Sequence, residues 1–162
     1  DGTRMAIRDL VEQGFRVGRH PSQMARDLRE IVGLTARQGR AVDGFRDRLT
    51  EEGVAADAVE RRTARYAQAQ LKWRAQNIAR TETLDASNAG QQELWMHARG
   101  QGLLDSATTR RVWIATDDDR LDPKCEALDG ETAPLDGPFP GGVFRPPLHP
   151  SCRCAAGLVF NS

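Results

Sequence analysis

Seven of the eight prolines fall between residues 123 and 150, and residues 22 to 122 contain none. Proline removes a backbone donor and clashes with the preceding helical turn, so this distribution permits uninterrupted helix early and forbids it late. Apolar spacing agrees. Ile7, Leu10, Val11 and Phe15 recur at one-face helical intervals and predict a first helix that stops near Gly14 to Gly18. Pro21 suits the first turn of a second helix, with Met24, Leu28, Ile31 and Val32 on its inner face and Gly33 at its end. Thr35 can cap a third helix carrying Val42, Phe45 and Leu49, which closes at Gly53. From Asp57 one long helical region follows, striped by Val59, Tyr66, Ala69, Trp73 and Ile78. A break is expected near Asn88 to Gly90, before Leu94 and Trp95 resume the pattern.

Two short runs then change character. Residues 111–116 are rich in β-branched and aromatic side chains, and Gly157, Leu158, Val159 and Phe160 match them near the end, so the two are predicted to pair antiparallel. The expected fold is mainly α: a helical array with one long helix, plus a small C-terminal two-stranded β appendage around a Pro-rich loop. Its expected divisions are 1–55, 56–108 and 109–162.

With 162 residues, 39% of them hydrophobic, the chain can bury a core. No apolar run approaches the roughly 20 residues of a membrane span, and no basic segment followed by an apolar one opens the chain as a signal peptide would. It begins with Asp1, which suggests a fragment or processed product. The net charge is zero, which argues against a protein whose main task is to coat nucleic acid. Residues 1–113 nevertheless hold 19 Lys/Arg against 15 Asp/Glu, and residues 114–162 hold 4 against 8. Only Lys72 and Lys124 are lysines, so the basic surface is almost wholly Arg. A solvated helix face is the expected reading, ahead of a specific anionic partner.

All three cysteines lie in the last third, as Cys125, Cys152 and Cys154, and His149 adjoins two of them in His149-Pro150-Ser151-Cys152-Arg153-Cys154. In an extended segment Cys152 and Cys154 face one side, and His149 can fold back through the Pro150 turn. Cys125 from across the loop would complete three thiols and one imidazole, the closed donor set of a structural zinc ion. Ordinary reduced thiols, or a disulfide from Cys125, remain alternatives. An odd cysteine count and the strain of bridging a Cys-x-Cys pair weigh against disulfides.

Catalytic readings of the same residues fail on missing partners. A zinc deaminase needs His-x-Glu, but His149 and His97 are followed by Pro-Ser and Ala-Arg. No oxyanion loop or helix start surrounds a cysteine as a nucleophile would require. His20 is expected at a helix start and His97 on a surface. Asp117, Asp118, Asp119 and Asp122 lack the register of a calcium loop and read as a solvated turn in which one Asp holds Arg120. Arg80-Thr81-Glu82-Thr83 is polar in mid-helix and suggests a buried or interfacial salt-bridge network.

From Ala79-Arg80-Thr81-Glu82-Thr83, with Ala86, Asn88, Gly90 and Trp95, an ordered series of motifs emerges. Arg111-x-Trp113, Asp119-Arg120, Cys125-x-x-Leu128-Asp129-Gly130, Phe139 and Pro146-Pro147-x-His149-Pro150-x-Cys152-Arg153-Cys154 continue it. This series resembles the phage head morphogenesis family, the minor head proteins similar to protein F of phage Mu. Residues 75 to 155 carry nearly all of the likeness. It marks Arg80, Glu82, Asn88, Trp113, Arg120 and Arg153 as structural or interaction residues. Many relatives have Cys-Pro-x-Cys where this chain has Asp122-Pro123-Lys124-Cys125, so a fourth metal ligand would be Asp122 or Cys154.

The resemblance implies a low-copy, non-enzymatic capsid protein in the virion, near the portal vertex. Its partners would be the portal or the major capsid protein, with a peripheral DNA contact compatible and no membrane or small-molecule substrate. It would assist head assembly or DNA packaging and lie in the host cytoplasm during assembly. The alternative is the delivery domain of a phage-borne toxin, or a truncated hydrolase.

Overall fold

The structure, a computed structural model, describes residues 2–160. Four helices come first: α1 (Gly2–Arg16), α2 (Pro21–Ile31), α3 (Ala36–Glu51) and α4 (Ala56–Gly100). Then follow β1 (Thr109–Ile114), the single turn α5 (Pro123–Glu126), β2 (Thr132–Pro134), a 3-10 turn (Pro140–Gly142) and β3 (Ala155–Phe160). The chain divides into two compact units, 1–79 and 80–162, with the boundary inside α4. No helix among the described residues is long and apolar enough to cross a membrane.

Helix starts follow the sequence chemistry. His20 is the N-cap of α2, its ring nitrogen accepting from the Ser22 amide at 3.2 Å, and Pro21 follows in the first turn. Thr35 and Gln38 close α3 with reciprocal side-chain to backbone bonds, a capping box. In the first unit Met24, Ala25 and Leu28 of α2, with Val32 at its C-cap, bury against Ala75 and Ala79 of α4. A Cβ at Gly14 would overlap the Met24 side chain, so glycine there is what lets α1 approach α2.

Three expectations need correction. Phe15 and Trp73, expected on inner stripes, are both exposed, and Ala75 and Ala79 are fully buried instead. Ala75 and Ala79 pack against the large buried side chains of α2, so small groups on α4 fill the space that Met24 and Leu28 leave. The break expected near Asn88 to Gly90 does not occur. Asn88 is buried and donates to the Leu84 carbonyl one turn back at 3.0 Å, which satisfies it without leaving the helix, and one glycine costs only about 1 kcal/mol. The sheet has three antiparallel strands in the order β2-β1-β3, where two were expected. The missed strand, Thr132–Pro134, is too short to show alternation, and its proline is tolerated because β2 is an edge.

In the second unit β1 pairs along its whole length with β3, Trp113 opposite Ala156 and Arg111 opposite Leu158, while Arg111 also faces Ala133 of β2. Thr109, Arg111 and Trp113 share the inward face. Trp113 meets Phe139 edge-on, with ring centroids 5.3 Å apart, and Trp95 of α4 joins this core with Leu128 and the three cysteines. Arg111 is 1% exposed. Its guanidinium donates to the carbonyls of Pro134 (3.0 Å), Phe144 (2.7 Å) and Gly137, and to Gln92 Oε1 at 2.8 Å, with its carbon 5.0 Å from the Phe139 ring centre. Burial lowers its pKa, and the Asp136 charge partly offsets this. Gln92 in turn donates to the Leu135 carbonyl, and Arg99 pairs with Asp136 at 2.7 Å.

Arg111 therefore supplies the donors that an irregular, buried loop cannot find in a strand ladder. Arg111→Met keeps the volume but leaves four acceptors without that donor. It is expected to destabilise the second unit on the order of 3–5 kcal/mol. Arg111→Lys should fail to rescue it, because one ammonium group cannot reach carbonyls on three segments. Denaturant unfolding followed by hydrogen exchange of residues 109–160 reads both effects.

Candidate metal centre

His149 to Cys152 closes a tight turn in which the Cys152 amide donates to the His149 carbonyl at 3.1 Å. Proline in the second place and a positive φ of 63° at Ser151 in the third are the marks of a type II turn, with serine where glycine is usual. The turn is pinned to α4, since the Ser151 amide donates to Thr81 Oγ1 at 3.0 Å. This reversal brings His149 and Cys152, three residues apart, to the same group of donor atoms. Cys125 arrives from the other side on the single turn α5, whose N-cap, Asp122, accepts from the Lys124 amide.

The three side chains converge. Cys125 Sγ lies 3.2 Å from His149 Nε2 and 3.8 Å from Cys152 Sγ, and all three donor atoms are within 4.8 Å of one another. Two thiolates bound at about 2.3 Å to a tetrahedral ion stand about 3.8 Å apart, so the sulfur spacing matches a shared metal. His149 Nδ1 is 2.9 Å from the Pro150 carbonyl. An Nδ1–H donated there leaves Nε2 with its lone pair toward the sulfurs, the orientation a ligating imidazole needs. The adjoining recess is about 20 Å³, room for an ion or one water and too small for an organic substrate.

All three cysteines are free thiols, so the disulfide alternative does not apply. Burial pushes Cys125 above the ordinary thiol range, and the neighbouring thiols add to it. Cys154 is raised chiefly by burial. At Cys152 burial also acts upward, but backbone amides of Cys154 and Leu148 donate to the sulfur and hold its pKa below the usual value. The Cys154 amide stands 3.5 Å from that sulfur. A cation entering here would take the donors as thiolates.

Cys154, expected as the fourth ligand, is not one of the three donors that all lie within 4.8 Å of one another, but its thiol adjoins those of Cys125 and Cys152. Only 2% exposed, it packs in the core with Trp113 and Phe139 while its amide serves Cys152. Asp122 and Cys154 both line the recess.

The sequence model described as Phage Mu protein F like protein matches residues 5–157, spanning both compact units. The chain belongs to this family. Its setting is therefore phage head morphogenesis, in a family that is generally structural. No curated protein and no solved structure matches the chain.

The remaining residues that the family likeness marked fall in distinct places. Trp113 and Asn88 are buried in the second unit. Arg80 is exposed and Glu82 half-buried, and neither forms an ion pair among the described residues. The ion pair near this stretch joins Asp85 to Arg145 at 3.0 Å, and the polar residue that reaches the centre is Thr81. Arg120 is exposed and 3.7 Å from Asp118, whereas Arg153 engages both carboxylate oxygens of Asp118. That pairing, with the Arg120 amide, holds the Asp118 carboxyl well below the usual carboxylate range. Thr116 Oγ1 adds a bond to the Arg153 carbonyl at 3.1 Å.

Arg153 sits between Cys152 and Cys154, so its clamp on Asp118 fixes the direction from which Cys152 presents its sulfur. Asp118→Ala and Arg153→Ala should each lower the affinity of this donor cluster for added zinc, used as the probe, about tenfold. The double variant should be little worse than either single change, as expected for one shared contact. Competition with a chromogenic chelator measures all three.

Proposed function

We propose that this chain is a minor capsid protein of a tailed phage that docks at the portal or the capsid interior. There it assists head assembly or DNA packaging without catalysing a reaction. The observation that carries this reading is the family match across residues 5–157, which takes in both units and leaves little chain for a separate activity within it. Exposed apolar residues on and just after α1, Met5, Phe15 and Val17, support a protein partner for the helical unit. The small volume at the cysteine cluster, and the burial that keeps Cys125 a thiol although His149 is beside it, support a role without turnover.

At that cluster we infer a structural zinc ion held by Cys125, His149 and Cys152, with Asp122 or Cys154 as the fourth donor. Mixed thiolate and imidazole donors suit zinc, and the segment they staple is poor in apolar side chains: Leu128, Leu135, Phe139, Val143 and Phe144 must order the Pro-rich loop. Zinc binding of this type contributes on the order of 10 kcal/mol, enough to make the loop's order depend on metal.

Elemental analysis of reduced protein should find close to one zinc per chain, lost in Cys152→Ser and His149→Asn. Chelation should melt residues 123–150 while leaving most of α1 to α4 helical by circular dichroism. Of Asp122→Asn and Cys154→Ser, the one that lowers zinc affinity identifies the fourth donor. A metal-free sample with an ordered loop would refute the zinc.

Docking is tested in assembled particles. Deleting residues 1–55 should abolish incorporation into heads, and imaging of wild-type particles should find the chain at the portal vertex. Intact incorporation of the deletion would refute docking through the helical unit.

A further inference from the structure

Trp113 is fully buried, and its indole Nε1 completes no hydrogen bond among the described residues. A buried indole nitrogen usually finds an acceptor, because one left unpaired forfeits the bond it had with water. Arg111, on the same face of β1, is by contrast engaged with four acceptors.

The strand register shows what the indole faces. β1 and β3 pair with Trp113 opposite Ala156 and Ile114 opposite Ala155. Carried on by one residue in each strand, that register sets Cys154 against Ala115, diagonal to Trp113. Buried Cys152, exposed Arg153 and buried Cys154 alternate, which keeps Cys154 on the inward face with Ala156. Diagonal neighbours on an antiparallel pair are within reach of an aromatic side chain. Trp113 and Cys154 share one core. Burial raises the pKa of the Cys154 thiol, and the Trp113 side chain, directed at the sulfur, acts the other way.

A thiol is a poor partner for that N–H. Sulfur accepts weakly while it keeps its proton, whereas a charged acceptor makes the bond roughly twice as strong. At 2% exposure a charged sulfur needs a cation beside it. The Cys154 thiol adjoins those of Cys125 and Cys152, the donors that a cation would draw together with His149. Asp122, the competing donor, is committed elsewhere. Its Oδ1 accepts from the Lys124 amide at 2.9 Å and caps α5, so turning the carboxylate toward an ion would give up that cap.

We propose that Cys154 is the fourth donor of the zinc centre, and that Trp113 is its positioning residue, giving its indole N–H to the bound sulfur. The inference rests on the zinc reading and adds to it a named ligand and the group that holds that ligand.

The test uses the full, reduced chain with Zn²⁺ as the probe. The indole N–H resonances of Trp73, Trp95 and Trp113 are separated by nitrogen-15 NMR and assigned through their backbones. One equivalent of Zn²⁺ should shift the Trp113 signal and slow its exchange with solvent. Cys154→Ala should abolish that shift while a weaker zinc complex still forms. By chelator competition, Trp113→Phe should lower zinc affinity about tenfold, as expected for a group that orients a metal ligand, and Cys154→Ala should lower it further. The combined variant should match Cys154→Ala, since the indole then has no sulfur to hold. Asp122→Asn, which keeps an acceptor oxygen for the cap, should bind zinc as the wild type does. Wild-type protein that takes up no zinc would overturn the zinc reading and this inference with it. Zinc uptake with an unmoved Trp113 signal, or with equal affinity in Trp113→Phe, would overturn this inference alone. So would a larger loss in Asp122→Asn than in Cys154→Ala. The resonance is read on the native sequence, so it decides even where Trp113→Phe fails to fold.

Discussion

A single guanidinium holds the second unit together. An arginine in a core is costly unless its donors are used, and Arg111 spends them on carbonyls of Pro134, Gly137 and Phe144 and on Gln92. The Gly137 and Phe144 carbonyls lie outside the strand ladder and that of Pro134 ends the edge strand β2, so Arg111 supplies inward donors that the ladder does not. The strand supplies the rigidity, and the charge supplies the reach. Asp136 lies close enough to favour the charged form, and Arg99 from α4 holds Asp136 in turn.

The cysteine cluster sits at the other end of the same logic. Thr81 anchors the His149 to Cys152 turn, Asp118 anchors Arg153, and the Asp122 cap fixes α5 under Cys125. Each ligand is therefore carried on a short piece of chain whose position is set by a polar contact to something regular. Arg111 stabilises the loop from one side, and the Cys125, His149 and Cys152 donors converge on the other, so the proline-rich stretch is tied by polar groups more than by apolar burial of its own.

Helices were legible in the sequence because their signals are local. Pro21, Thr35 and Gln38 mark helix starts wherever the rest of the chain lies, and a proline-free run with helical spacing has few other solutions. The stripe on α4 was read less well: alanines carry the buried contact and Trp73 is exposed, since hydrophobicity ranks side chains without regard to how closely a neighbour approaches. β2 escaped notice because three residues carry no period. Arg111 had a signal that could have been used. It shares parity with Thr109 and Trp113 on a strand, so an inward Trp113 implied an inward charge.

By itself, then, the sequence determined the helical character, the caps, the small C-terminal sheet, the membership of the Cys/His cluster in one loop, and the family likeness. Only the tertiary structure decided which donors meet. It brought Cys125, His149 and Cys152 together, set the Cys154 thiol beside the other two, and clamped Asp118 with Arg153 more tightly than with Arg120. The physical reason is that periodicity and capping are settled within one or two turns of chain, whereas convergence of side chains 24 to 35 residues apart depends on where loops close. That closure is fixed by buried hydrogen bonds whose partners no local pattern announces.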